Sequence, residues 1–245
     1  VVVFDKRDEI GGNLHVAKKP PFKGKFEWAI DYYKSMAKKL NITMKLGKEV
    51  TAQEVLALKP YSILVATGSN VISIPLEGLD QVQTVQAHDV LANDMQFANK
   101  KVVVIGGGIT GLETALYINR QGTNQVSVVD MLPEWPVDML DMRYQNEALL
   151  EVRHCNDQGV ALFYNNKVVK FADGKLFIES TKDGEVKELP ADVIVLSVGV
   201  KPNDALWQEL LASGHPSVWK AGDAIATGKI NKAVLHGSKF GYSLN

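Results

Sequence analysis

The run Val102-Val-Val-Ile-Gly-Gly-Gly-Ile-Thr-Gly-Leu-Glu113 leaves this chain few ways to fold. Val102 to Ile105 form a continuous apolar stretch, which predicts a strand covered on both faces. Beyond the glycines, Ile109, Leu112, Ala115, Leu116 and Asn119 recur at helical spacing, and Gly122 stands just past the expected helix end. Val126 to Asp130 reads as the next strand, which completes a βαβ unit. In such a unit Gly106 permits the tight bend, Gly108 lets a pyrophosphate approach the backbone, and Gly111 lets the helix pack close to the strand. The turn residues Gly107, Ile109 and Thr110 complete a cradle of amides at the helix N-terminus, where an anion gains about 0.3–1 kcal/mol from the helix dipole.

Asp130 lies 19 residues beyond Gly111, the place of an acid that accepts hydrogen bonds from ribose hydroxyls. The same carboxylate repels a 2′-phosphate, and no Arg or Lys occurs between Met131 and Asp138 to receive one. NADH is therefore expected over NADPH. The competing readings are a glycine turn that only joins a strand to a helix, and an Asp130 that is merely a solvated turn residue.

Elsewhere the pattern predicts a strand at Val1 to Phe4, an amphipathic helix from Phe26 to Leu40, and strands at Ile42 to Leu46 and Ser62 to Ala66. Residues 71–99 read as irregular, with a domain boundary near Asn99. Val160 to Tyr164, Val168 to Phe171, Leu176 to Ser180 and Val186 to Leu189 read as an antiparallel meander, turned by Asp173-Gly174 and Asp183-Gly184. A buried strand at Val193 to Val198, another at Val218 to Ala221, and a helix from Asn231 towards Tyr242 close the chain.

With 245 residues, 46% of them hydrophobic, the chain can hold one large domain or two modest ones. Its net charge of −1 offers no footprint for nucleic acid. No apolar run approaches the roughly 20 residues needed to cross a bilayer, so no membrane partner is expected. The single Cys155 excludes an internal disulfide or a cysteine-based zinc or iron-sulfur site within these residues, and it fits a cytoplasmic setting. His15, His88, His154, His215 and His236 show no ligand spacing, and no metal site is expected. The opening Val1-Val-Val-Phe4 is too short for a signal peptide; the expectation is a chain that begins part-way through a larger protein.

Several motifs, in order, resemble the pyridine-nucleotide disulfide oxidoreductase superfamily over nearly the whole chain. Asp5-Lys6-Arg-Asp-Glu-Ile-Gly11-Gly12 resembles that family's second FAD-domain strand, whose terminal acid holds the adenosine ribose and whose glycine pair approaches the flavin nucleotide. Ala66-Thr67-Gly68 resembles its A-T-G strand end, Val198-Gly199-Val-Lys-Pro202-Asn203 its G-x-x-P turn, and Ala221-Gly222-Asp223 its late G-D motif. The likeness implies that Asp223 meets the FAD ribityl chain, that Val50 meets adenine through its backbone, that Glu113 reaches towards the nicotinamide, and that Gly199 belongs to the NAD site. Read by residue type alone, Asp223 could be a cap, Val50 plain core, and Glu113 a first-turn acid.

The fold so implied is α/β: two Rossmann-like three-layer dinucleotide-binding domains, with an antiparallel β-meander at the crossover. Residues 1–99 and 200–245 would form an FAD-binding domain into which the NAD-binding domain, 100–199, is inserted. The family's FAD domain opens on its own G-x-G-x-x-G loop, which these residues lack; without that strand, open edges would allow a swapped homo-oligomer. They also lack a redox cysteine pair, and Cys155 reads as a bystander.

Without disulfide chemistry, the texture of Glu9-Ile-Gly-Gly-Asn-Leu14 and of Phe26 to Leu40 resembles the dienoyl-CoA reductase and trimethylamine dehydrogenase group. There an upstream TIM barrel carries FMN and an iron-sulfur cluster. The implied function is electron input, from NADH to FAD and on to a barrel that reduces an enoyl-type substrate. A stand-alone ferredoxin or rubredoxin reductase and a non-catalytic nucleotide-binding module are the alternatives.

Overall fold

The computed structural model describes residues 1–133 and 142–244. In chain order the first elements are β1 (Val2–Phe4), α1 (Leu14–Ala17), α2 (Phe26–Lys39), β2 (Thr43–Lys45), α3 (Ala52–Ala57), β3 (Ile63–Val65), β4 (Ser69–Val71), β5 (Gln83–Gln86) and α4 (Ala87–Ala92). There follow β6 (Lys101–Ile105), α5 (Ile109–Asn119), β7 (Gln125–Val129), α6 (Met142–Asp157), β8 (Ala161–Phe163), β9 (Asn166–Ala172), β10 (Lys175–Ser180) and β11 (Val186–Pro190). The last are β12 (Val193–Leu196), β13 (Val200–Pro202), α7 (Ala205–Ala212), β14 (Val218–Lys220) and α8 (Ile230–Tyr242).

Contacts divide the chain into two compact units. One comprises residues 1–10, 32–72 and 199–245, and the other residues 11–31 and 73–198. The expected boundary near Asn99 thus falls within the second unit, because β5 pairs in parallel with β12.

The second unit is built on a parallel sheet in the order β5-β12-β6-β7-β8. Its strands carry apolar side chains on both faces, and the two faces have different covers. Val102, Val104, Val126, Val128, Val193 and Val195 pack with Val90 of α4, with Leu112, Ala115, Leu116 and Ile118 of α5, and with Val152 and Cys155 of α6. Val103, Ile105, Val129, Ile194 and Leu196 pack with Phe171, Leu176 and Ile178 of the antiparallel sheet β9-β10-β11. Helices, parallel sheet and meander make three layers. Each fully buried aliphatic side chain contributes about 1.5–3 kcal/mol, which explains the continuous apolar runs.

The Asp173-Gly174 turn forms as expected, with both residues at positive φ (51° and 73°), the conformation of a type I′ hairpin. Two expectations for this unit fail. Residues 71–99 are not irregular but contain part of β4, all of β5 and α4, and a 3₁₀ turn at Leu79–Gln81. Short length and polar residues at the sheet edge, as in Gln83–Gln86, masked the pattern. The stretch Val160 to Tyr164 does not join the meander; β8 extends the parallel sheet beside β7 (Val128↔Leu162).

The first unit has three separate two-stranded pairs: β1-β2 and β3-β14 parallel, β4-β13 antiparallel. Its core is smaller, with Ala52, Ile63, Val65 and Leu210 buried and Val55, Leu56, Leu206, Trp207 and Val218 packed on them. Helix α3 opens on a capping box in which Thr51 and Glu54 exchange hydrogen bonds with each other's backbone amides. Helix α2 straddles the division between the units at Asp31 and Tyr32. Among the described residues no helix is long and apolar enough to cross a membrane.

Candidate functional site

In the second unit the sheet presents the turn Gly106–Gly111 at the carboxyl end of β6. Each glycine there answers to a different demand. Gly106 has φ +110°, and a Cβ on it would lie 2.3 Å from the Ser197 carbonyl oxygen. A Cβ on Gly111 would lie 1.9 Å from the Gly106 carbonyl oxygen, so α5 can approach β6 only without a side chain there. Gly107 is hemmed in by Tyr164 and Asp130, at 2.8 and 3.1 Å from its ideal Cβ.

Gly108 differs. Its φ of −69° suits any residue, and a Cβ on it would meet nothing within 4 Å. The protein's own packing gives no reason for glycine at Gly108, and the open space is what a phosphate approaching the backbone requires. Ile109, Thr110 and Gly111 begin α5, where amides lack intrahelical partners.

Asp130, at the end of β7, is drawn onto this turn. Its Oδ2 accepts the Gly107 amide at 2.6 Å and its Oδ1 the Leu132 amide at 2.8 Å. The carboxylate is thereby oriented, and each oxygen retains a lone pair for a ribose hydroxyl. The Tyr164 hydroxyl donates to the Gly107 carbonyl at 3.4 Å. Sequence reading missed Tyr164, because assigning Val160 to Tyr164 to the meander removed it from Asp130.

Glu113 is nearly buried, on the first turns of α5, and its carboxylate pairs with Lys23. Lys23 also bonds Glu147 of α6 at 2.9 Å. Burial pushes the Glu113 carboxyl above the usual range, against the opposing pull of Lys23, with Glu151 and Glu147 adding to the rise. Burial opposes the Lys23 ammonium, yet its bonds to Glu113 and Glu147 hold it above the ordinary lysine value. Nothing in the spacing of residues 90 positions apart announced this contact. Cys155 is fully buried, its thiol pushed up to about 12 by burial and then by Glu151, which suits a packing residue and not a nucleophile. Among the described residues no cluster of His, Cys, Asp and Glu could hold a metal.

In the first unit, three motifs remote in sequence meet. Thr67 donates to the Asn203 carbonyl at 2.5 Å, and the Asn203 amide to the Gly68 carbonyl at 3.0 Å. Ser69 donates to Asp223 Oδ2 at 3.2 Å, while Asp223 Oδ1 accepts the Gly228 amide at 3.0 Å. The Gly222 amide bonds His236 Nδ1 at 3.1 Å. Ala66 and Thr67 are exposed, and beside Gly68, whose φ is +75°, there is open space. Gly199 lies in this unit too, its carbonyl accepting the Ile72 amide at 3.0 Å beside β4. Asp5 ends β1 and caps the Arg7 amide at 2.9 Å, with Lys6 exposed next to it. Gly11 and Gly12, both at positive φ, group with the second unit. Val50 is half-buried, immediately before the Thr51 capping box.

The chain is similar to known proteins. A model of the family described as pyridine nucleotide-disulphide oxidoreductase matches residues 26–236. Bilirubin reductase of Mediterraneibacter gnavus is 34% identical over 203 residues, 83% of this chain and 30% of that protein. NADH oxidase of Thermoanaerobacter brockii is 29% identical across 100% of this chain and 37% of its own length. The solved structure of a 2-naphthoyl-CoA reductase superposes with a TM-score of 0.88 at 27% identity, over 98% of this chain and 36% of its own. The chain thus spans about a third of the length of these relatives.

Proposed function

This chain belongs to the pyridine nucleotide-disulphide oxidoreductase family, and from that premise we propose that it is the electron-input region of a larger cytoplasmic flavoprotein, fed by NADH. FAD and a nicotinamide dinucleotide are the cofactors of that family. The chemistry that FAD supplies when bound is acceptance of a hydride from the reduced nicotinamide. The observation that carries the reading is the pairing of Asp130 with the open-sided Gly108 turn. An oriented carboxylate there receives ribose hydroxyls and repels a 2′-phosphate, while the amides opening α5 take the pyrophosphate.

Thr67, Asn203 and Asp223 would hold the flavin chain in the first unit, with Asp5, Lys6 and Val50 of the same unit serving its adenosine end. The share of the relatives that this chain spans supports a further part of the protein that holds the acceptor site. By the resemblance to the dienoyl-CoA reductase group, that part would be a TIM barrel with FMN and an iron-sulfur cluster. The names bilirubin reductase and 2-naphthoyl-CoA reductase accord with a conjugated, enoyl-type substrate.

Anaerobic stopped-flow of the full-length protein tests this reading. NADH is expected to bleach the flavin within the turnover time, with kcat/KM at least about tenfold above that for NADPH. A flavin bleached by neither nucleotide would leave only a binding module, and a preference for NADPH would remove the role given to Asp130.

A further inference from the structure

We propose that Tyr164 is a specificity-determining residue of the second unit, its ring forming the wall against which the adenine of the dinucleotide stacks. The proposal rests on the reading of Asp130 as the ribose acid. Strands β7 and β8 are parallel neighbours, so Asp130 and Tyr164 emerge side by side at their carboxyl ends, where α/β sheets take their ligands. The two segments are tied by backbone bonds. The Asp130 amide donates to the Phe163 carbonyl at 3.0 Å, the Asn166 amide to the Asp130 carbonyl at 2.9 Å, and the Asn165 amide to the Leu132 carbonyl at 2.9 Å.

Tyr164 itself is fixed on the turn. Its hydroxyl bonds the Gly107 carbonyl while Asp130 bonds the Gly107 amide, so one peptide segment is held from both ends. The ring lies so close that a Cβ on Gly107 would be 2.8 Å from Tyr164 Cε1. The side chain is half-buried, leaving part of its surface uncovered. A ribose on Asp130 carries its base only a sugar ring's width away, and among the described residues Tyr164 offers an aromatic surface beside Asp130 on the β8 side. Stacking of a base on an aromatic ring is the interaction that this placement allows. The ligand class is an adenosine diphosphate moiety with a free 2′-hydroxyl.

The test uses the full-length holoenzyme and three variants, Tyr164→Ala, Tyr164→Leu and Tyr164→Phe. ADP-ribose serves as inhibitor, and NADH and reduced nicotinamide mononucleotide, which lacks adenosine, as alternative reductants. Tyr164→Ala and Tyr164→Leu are expected to weaken ADP-ribose about tenfold and to lower the ratio of kcat/KM for NADH over the mononucleotide by a similar factor. Tyr164→Phe, which keeps the ring, should restore both. Tyr164→Leu keeps most of the bulk and so answers the question if the alanine variant does not fold. An unchanged ratio, a failure of phenylalanine to rescue, or an equal loss with both reductants overturns the proposal. If the unaltered protein is neither inhibited by ADP-ribose nor reduced by NADH, the reading of the site falls with it. If it is both, and the variants are indifferent, only the role of Tyr164 falls.

Discussion

The two units hold their glycine motifs by different means. In the second, a parallel sheet with Val102–Ile105 and Val193–Leu196 buried on both faces aims the turn at Gly106, and nearby side chains only trim it. In the first, the strands come in separate pairs. There the motif residues are fastened by bonds between distant segments, Thr67 to Asn203 and Ser69 to Asp223. A site aimed by a sheet inherits the stiffness of its core. A site tied by a few hydrogen bonds is worth about 0.5–1.5 kcal/mol per tie.

The sharpest probe of that contrast is Cys155, in the core of the second unit. A thiol raised to about 12 keeps roughly 10⁻⁴ of its population as thiolate at pH 8, so alkylation should run about a thousandfold slower than in the unfolded chain. Labelling at the unfolded rate would mean that this core is open. The sign of the pH effect follows: the folded state holds the proton more tightly than the unfolded one, whose thiol has the ordinary 9.0. That stabilisation is complete below pH 9 and is lost as pH rises through 12. Urea unfolding at pH 8 and pH 10.5 should therefore show wild type losing more stability than Cys155→Ala.

Gly111→Ala comes next, since its methyl group would stand 1.9 Å from the Gly106 carbonyl oxygen. A loss of about 3 kcal/mol is expected in thermal unfolding, and an unchanged Tm would show that α5 does not bear on β6 as described. Gly108→Ala separates site from scaffold. With open space and φ −69°, stability should hold or rise by about 0.4–1 kcal/mol while NADH affinity falls about tenfold. Steady-state kinetics beside a Tm measurement check both halves, and retained affinity would move the pyrophosphate elsewhere. The smallest effect is expected from Ser69→Ala in the first unit: about 0.5–1.5 kcal/mol of stability and a few-fold faster loss of FAD, read from flavin fluorescence.

Local pattern announced the second unit well. Four apolar residues, a glycine turn and an acid-ended strand make β6, α5 and β7 legible, since each rule acts within a few residues. What escaped depended on partners far along the chain. Gln83–Gln86 became a strand by pairing with β12, and Tyr164 joined Asp130 because β8 took the sheet edge instead of the meander. Lys23 found Glu113 across 90 residues. The Thr67-Asn203 and Ser69-Asp223 contacts are similarly distant. The motifs were visible singly, but not the bonds that join them.

The pairing of β3 with β14 bears on how the chain is made. Ser62 and Ser217, which share a hydrogen bond beside that ladder, are 155 residues apart. At about 5–20 residues per second, a ribosome delivers the partner roughly 8–30 s after β3 emerges. The second unit, whose strands β5 to β12 are all synthesised within that interval, can close first. During that wait Ile63 and Val65, buried in the finished fold, are the apolar surface that a nascent-chain chaperone would find.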